Sequence, residues 1–165
     1  MIINDIRDDR GTAVGGFHSA LFDCDMQAML IGADIEYAEK CADYFNNMSE
    51  DMIDGLKKYT LRYCEDFRRF FDEESPDVPE NVTADEIFSY VSPQVLIITA
   101  PKKPDKIAFS VEFTCRWERE HGMEWVIRDG KILYVGDFQS VSPWYKTYVY
   151  EKNPMNYVFR EHCMD

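Results

Sequence analysis

The segment from Ile107 to Trp117 alternates without a break. Ile107, Phe109, Val111, Phe113, Cys115 and Trp117 fall on one side, and Ala108, Ser110, Glu112, Thr114 and Arg116 on the other. Successive side chains of a strand point to opposite faces, so this pattern predicts a strand with one buried and one wet face. Such a strand requires neighbours and an apolar layer over its inner side. Downstream, Met123–Arg128 and Lys131–Gly136 flank Asp129-Gly130. Both turn residues tolerate positive φ, which a two-residue hairpin turn needs. In the simplest register Trp125 faces Tyr134 and Ile127 faces Ile132. Upstream, Val95 to Ile98 is a continuous apolar run within 94–100, the pattern of a strand buried on both faces.

The first part of the chain changes period. Asp34 is placed to cap a helix reaching about Asn46, with Tyr37, Cys41, Tyr44, Phe45 and Met48 on its apolar side. Ser49 is placed to cap a longer one. Its stripe of Met52, Leu56, Tyr59, Tyr63, Phe67 and Phe70 advances in steps of three and four, which keeps it on one helical face. Thr83-Ala84-Asp85-Glu86 matches a capping box, so a short helix is expected before Pro93. Residues 12–32 read as two strands around an Asp23-Cys24-Asp25 turn, where the Gly15-Gly16 pair blurs the start of the first. Asp23-x-Asp25 lacks the spacing, glycine and closing Glu of a calcium loop. The tail from Ser140 carries Trp144, Tyr145, Tyr148, Tyr150, Tyr157 and Phe159 and is expected to pack as irregular structure or a short strand.

These elements predict one α+β domain over 1–165: an antiparallel sheet of about five or six strands with two or three helices on one face. Its parts are a helical, acidic region (34–92), a β-meander (94–137) and an aromatic tail (138–165). No apolar run approaches the ~20 residues of a membrane span. The N-terminus has no basic region leading into an apolar one, so a cytoplasmic protein is expected, without membrane partners.

Charge is divided unevenly. Residues 1–92 hold 21 acids and 8 bases, whereas 93–165 hold 10 of each. The whole net charge of -13 therefore belongs to the first part. It peaks between Asp72 and Glu86, where Asp72, Glu73, Glu74, Asp77, Glu80, Asp85 and Glu86 occur with no base. This excess opposes nucleic-acid binding. The segment reads either as a solvated, mobile connector or as a docking surface for a basic protein, with Asp72, Glu73, Glu74, Asp77 and Glu80 as contacts.

Chemistry-bearing motifs are few. Cys24, Cys41, Cys64, Cys115 and Cys163 are odd in number and contain no CxxC, which argues against a disulfide framework or zinc site. No phosphate loop, nucleophile elbow or dinucleotide fingerprint occurs, and no cofactor is expected. The remaining cluster is Glu118, Glu120, His121 and Glu124 near one loop. It could bind a metal, or pair His121 with a carboxylate as a general base. The helical HExxH spacing that converges on a metal is absent. In the structural alternative Gly122 supplies the turn, His121 or Glu120 bonds loop backbone and Trp117 seals the core.

The stretch from Cys115 to Gly130, continued by Tyr134-Val135-Gly136, resembles a signature in a family of small, uncharacterised bacterial proteins (domains of unknown function). They carry Trp-x-x-Glu-His-Gly and then an amphipathic hairpin with a charged turn. The matching positions are Trp117, Glu120, His121, Gly122 and Asp129-Gly130. Tyr37–Cys41 and Tyr63–Phe67 resemble that family's helical part, so the resemblance spans 35–144. It implies a bacterial protein and no known activity. Small acidic domains of this kind also occur among immunity proteins of bacterial toxin systems, an analogy that implies a binding role.

Charge and resemblance together lead to a non-enzymatic protein-binding module that neutralises a basic partner. The alternative is an enzyme or binder of a small ligand or metal, with a pocket near Glu118, His121 and Trp144. An oligomer using the aromatic tail as its interface is a third reading.

Overall fold

The computed structural model describes residues 1–70 and 77–163. Seven strands form one sheet whose spatial order follows the chain: β1 (Asn4–Asp9), β2 (Thr12–Ser19), β3 (Cys24–Ile31), β4 (Val91–Thr99), β5 (Ala108–Cys115), β6 (Met123–Arg128) and β7 (Lys131–Gly136). The α+β class holds, but the sheet is larger than expected and mixed. β3 and β4 run parallel, with Ala28 opposite Leu96 and Leu30 opposite Ile98, whereas every other neighbouring pair is antiparallel. Parallel neighbours need a long crossover. Here it contains α1 (Ile35–Asn46) and α2 (Glu50–Phe70), so the whole helical region is inserted between two central strands.

The helices begin where their caps stand. Asp34 accepts a hydrogen bond from the Tyr37 N–H at 2.8 Å, and the Ser49 hydroxyl accepts one from Met52 at 3.2 Å. The Glu86 carboxylate accepts the Thr83 N–H at 3.1 Å, one half of the capping box. The element it opens is a single 3-10 turn, Ile87–Tyr90, and not an α-helix. β4 starts immediately after it and includes Pro93. The register shifts between Pro93 and Val95, so the residue without an N–H sits at an irregularity.

The apolar side of β5 faces the helices as its alternation demands. Phe109, Val111 and Phe113 pair with Ile127, Trp125 and Met123, and all six are buried. Phe45 of α1 meets Phe17 and Phe109 edge-on at 6.2 and 6.0 Å. Thr60 of α2 accepts the Trp125 indole N–H at 3.1 Å. Full burial of a side chain such as Leu56, which is 0% exposed, contributes about 1.5–3 kcal/mol.

The other face is not uniformly wet, which corrects the expectation for Ala108 and Ser110: both are buried. The tail lies over this half of the sheet. Tyr150 of the short α3 (Thr147–Lys152) packs with Val126, Leu133 and Tyr134. α3 thus lies on the face opposite α1 and α2, and not with them. Towards β3 and β4 the same face stays more open. Val95 and Ile97 are only half-buried, so the apolar run is fully covered on one side, through Leu96 and Ile98.

Two further details depart from expectation. Ile127 faces Ile132, but a register shift between Val126 and Ile127 sets Trp125 opposite Val135 and Val126 opposite Tyr134. β1 was not expected; its sequence, NDIRDD, is polar and largely exposed. β1 forms one end of the sheet. At the other end, the Tyr157 N–H and the Asn156 side chain bond the main chain of Leu133 and Val135, closing the outer side of β7.

Candidate functional site

The loop between β5 and β6 is organised by one carboxylate. Glu118 Oε1 accepts the N–H groups of Glu120 and His121 at 2.8 and 3.2 Å, and Oε2 lies 2.5 Å from His121 Nδ1. Glu118 is mostly covered, whereas His121 and Glu120 stand in solvent. The carboxylate raises the His121 pKa above the usual imidazole value by stabilising the charged ring. Glu118, which the sequence signature leaves unspecified, is therefore the residue that shapes the loop.

Gly122 and Trp117 hold that loop to the core. Gly122 has φ +72°, and a Cβ there would lie 2.3 Å from the Phe113 carbonyl oxygen. Its own carbonyl accepts the Tyr63 phenol at 3.2 Å. Trp117 is buried edge-on against Tyr63 with centroids 5.5 Å apart. The indole N–H of Trp117 has no partner among the described residues.

The acidic connector meets this loop. Asp72, Glu73 and Glu74 lie outside the described residues. From Asp77 onward the chain is anchored. Arg119 pairs with the Asp77 carboxylate, Arg68 donates to the carbonyls of Val78 and Pro79, and Val78 is buried. Residues 77–79 are thus held by contacts, which departs from the fully solvated reading of that stretch. Glu80, Asp85 and Glu86 remain exposed. Asp77 is thereby joined to the Glu118–His121 loop, whereas Asp85 lies 3.6 Å from the Lys57 ammonium of α2.

Trp144 does not join it. His121 precedes β6, whereas Trp144 lines a cleft with Arg128 at the other end of that strand. Six strand residues span roughly 20 Å. Among the described residues no group of three or more His, Cys, Asp and Glu side chains could hold a metal ion. The cysteine thiols at 41, 64, 115 and 163 are buried, and burial raises their pKa values, to about 11 at Cys41 and Cys163 and about 12 at Cys64 and Cys115. That keeps them protonated and weakly nucleophilic.

Sequence reading missed the environment of Glu124. It is 0% exposed on β6, on the face covered by the tail. Oε1 accepts the Val141 N–H at 3.0 Å, and Oε2 is buried without a partner among the described residues. Burial pushes its pKa up to about 7. The only sequence signal was Glu124 inside an otherwise apolar Met123–Ile127 run.

Comparison with known proteins places one match. A family model described as "Domain of unknown function (DUF6985)" matches residues 6–142. No curated protein and no solved structure matches the chain. Among the described residues no helix is long and apolar enough to cross a membrane.

Proposed function

We propose that this chain, which belongs to that family of unknown function, is a non-enzymatic protein-binding module of the bacterial cytoplasm. Its partner is a basic protein, neutralised in the manner of an immunity protein. The observation that supports this reading is the Arg119–Asp77 pair. It holds Asp77, in the acidic connector, against the Glu118–His121 loop, so that the connector and the exposed Glu120, distant in sequence, become neighbours. Opposite charges across such a surface accelerate encounter and discourage acidic competitors.

The exposed acids would act collectively, because a single surface ion pair contributes only about 0–1 kcal/mol. Capture from lysate of the source cells tests the reading. Wild-type protein should retain a basic partner at low salt and release it at high salt, since screening weakens attraction between exposed charges. The Glu80→Lys/Glu120→Lys variant, at two exposed carboxylates, should retain less of it. Equal retention by this variant would remove the acidic surface from the interaction.

A further inference from the structure

A second charged feature lies at the opposite end of β6 from His121. Lys102, Lys103 and Lys106 from the β4–β5 connection, Arg128 and Lys131 beside the hairpin turn, and Lys146 before α3 line one cleft of about 530 Å3. These are six of the 18 Lys and Arg residues in a chain of net charge -13. Asp129 is the carboxylate in the lining, and Lys106 engages it at 2.7 Å. Lys102, Lys103, Lys131 and Lys146 are exposed; Lys131 acts on Asp129 through space, and the other three form no ion pair among the described residues. A concave surface whose cations outnumber its carboxylates focuses a positive field, and an anion relieves the repulsion among its ammonium groups.

One residue of the lining is held in place by the tail. Arg128 donates to the carbonyls of Pro143 and Tyr145 at 2.8 and 2.7 Å, and its guanidinium lies 5.9 Å from the Tyr150 ring centre. Trp144 and Tyr145 form an aromatic side of the cleft. Trp144 is 9% exposed, and its indole N–H finds no acceptor among the described residues. The buried Trp144 N–H is a donor that an acceptor on a bound ligand could satisfy.

Size and charge limit the ligand. The volume falls within the range of roughly 300–1,000 Å3 that suits small molecules. Ammonium groups are compact point charges well matched to phosphate oxygens, and aromatic rings stack on planar groups. A long nucleic acid would extend past the cleft and meet the acidic remainder of the protein. A compact anion stays within about one Debye length, roughly 8 Å at physiological salt, of the lysines. We propose that this cleft binds a small phosphate-rich anion bearing a planar ring, the chemistry of a nucleoside polyphosphate. The site is separate from the acidic surface, and its binding does not depend on the protein-binding reading.

Titration of the full chain with ATP and, separately, with pyrophosphate tests this, followed by the indole N–H signals of the three tryptophans. ATP should saturably shift one signal, identified as Trp144 by its absence in Trp144→Phe. It should bind at least about tenfold more tightly than pyrophosphate, a difference of about 1.4 kcal/mol. Lys103→Glu/Lys131→Glu should weaken ATP binding at least about tenfold, whereas Lys58→Glu, on exposed α2 surface, should change it less than about twofold. Should the double reversal fail to fold, Lys103→Gln repeats the comparison. Absence of saturable binding by ATP would overturn the proposal, as would an equal loss in Lys58→Glu. Pyrophosphate binding as tightly as ATP would overturn recognition of the ring, and tighter binding of a DNA duplex would overturn the restriction to small anions.

Discussion

The phenol of Tyr157 donates a 2.6 Å hydrogen bond to the carboxylate of Asp66, joining the C-terminal tail to α2. Asp66 is 2% exposed and also accepts the Cys163 N–H at 3.1 Å, while Arg69 and His162 approach its other oxygen at 2.9 and 3.4 Å. A buried carboxylate persists because several donors replace its water. Tyr157→Phe removes one donor and should cost about 1 kcal/mol, whereas Asp66→Ala leaves several groups unsatisfied and should cost about 3 kcal/mol. Urea unfolding of both variants measures the difference.

Gly122 is the most constrained position of the signature loop. Gly122→Ala combines φ +72° with a Cβ driven into the Phe113 carbonyl. It should destabilise the protein by about 3 kcal/mol, and the Tyr63–Gly122 contact should be disturbed with it. Equilibrium unfolding should show this loss; a loss under about 0.5 kcal/mol would mean that the loop adjusts freely.

Glu124 makes stability depend on pH in an unusual direction. Its folded pKa, about 7, lies above the unfolded value of roughly 4.3. The folded state therefore holds the proton more tightly. The benefit is complete below about pH 4 and disappears as pH rises through 7, where a bare carboxylate must be buried. Glu124→Gln stays neutral throughout. Its stability relative to wild type should rise by about 3 kcal/mol between about pH 4 and 8. Denaturation at the two pH values checks this, and a constant difference would place a charged, satisfied carboxylate at the site.

His121 should titrate above the ordinary imidazole value because Glu118 stabilises its charged form. Proton NMR titration measures this, and Glu118→Gln should lower it. The stabilising contribution of the pair is complete below the unfolded pKa of about 6.5 and fades as pH rises through the folded value. The same substitution keeps an oxygen able to accept the Glu120 and His121 N–H groups, so the loop should remain folded.

The parts legible in sequence were those with local causes. The β5 alternation, the Asp129-Gly130 turn and the Asp34 and Ser49 caps each depend on residues a few positions apart, and each appears where expected. The parallel β3–β4 pairing joins segments separated by the entire helical region, so no local period announces it. β1 was hidden because its polar residues meet water at a sheet edge and leave no alternation. The register shift after Val126 moved Tyr134 to the face covered by the tail, which simple hairpin pairing could not foresee. For the candidate site, Gly122 and Trp117 were recognisable by type, but the central role of Glu118 comes from loop geometry. The basic cleft was invisible for a different reason: its lysines come from three separate segments, and net charge averages them away.

Hydrogen exchange of the chain, alone and bound to its captured basic partner, tests the acidic docking surface most directly. Exchange should slow in residues 77–86 and 118–122, which the Arg119–Asp77 pair joins, and remain unchanged at the open face of β3 and β4. Protection confined to Val95 and Ile97 of that open face, with 77–86 and 118–122 unaffected, would contradict it.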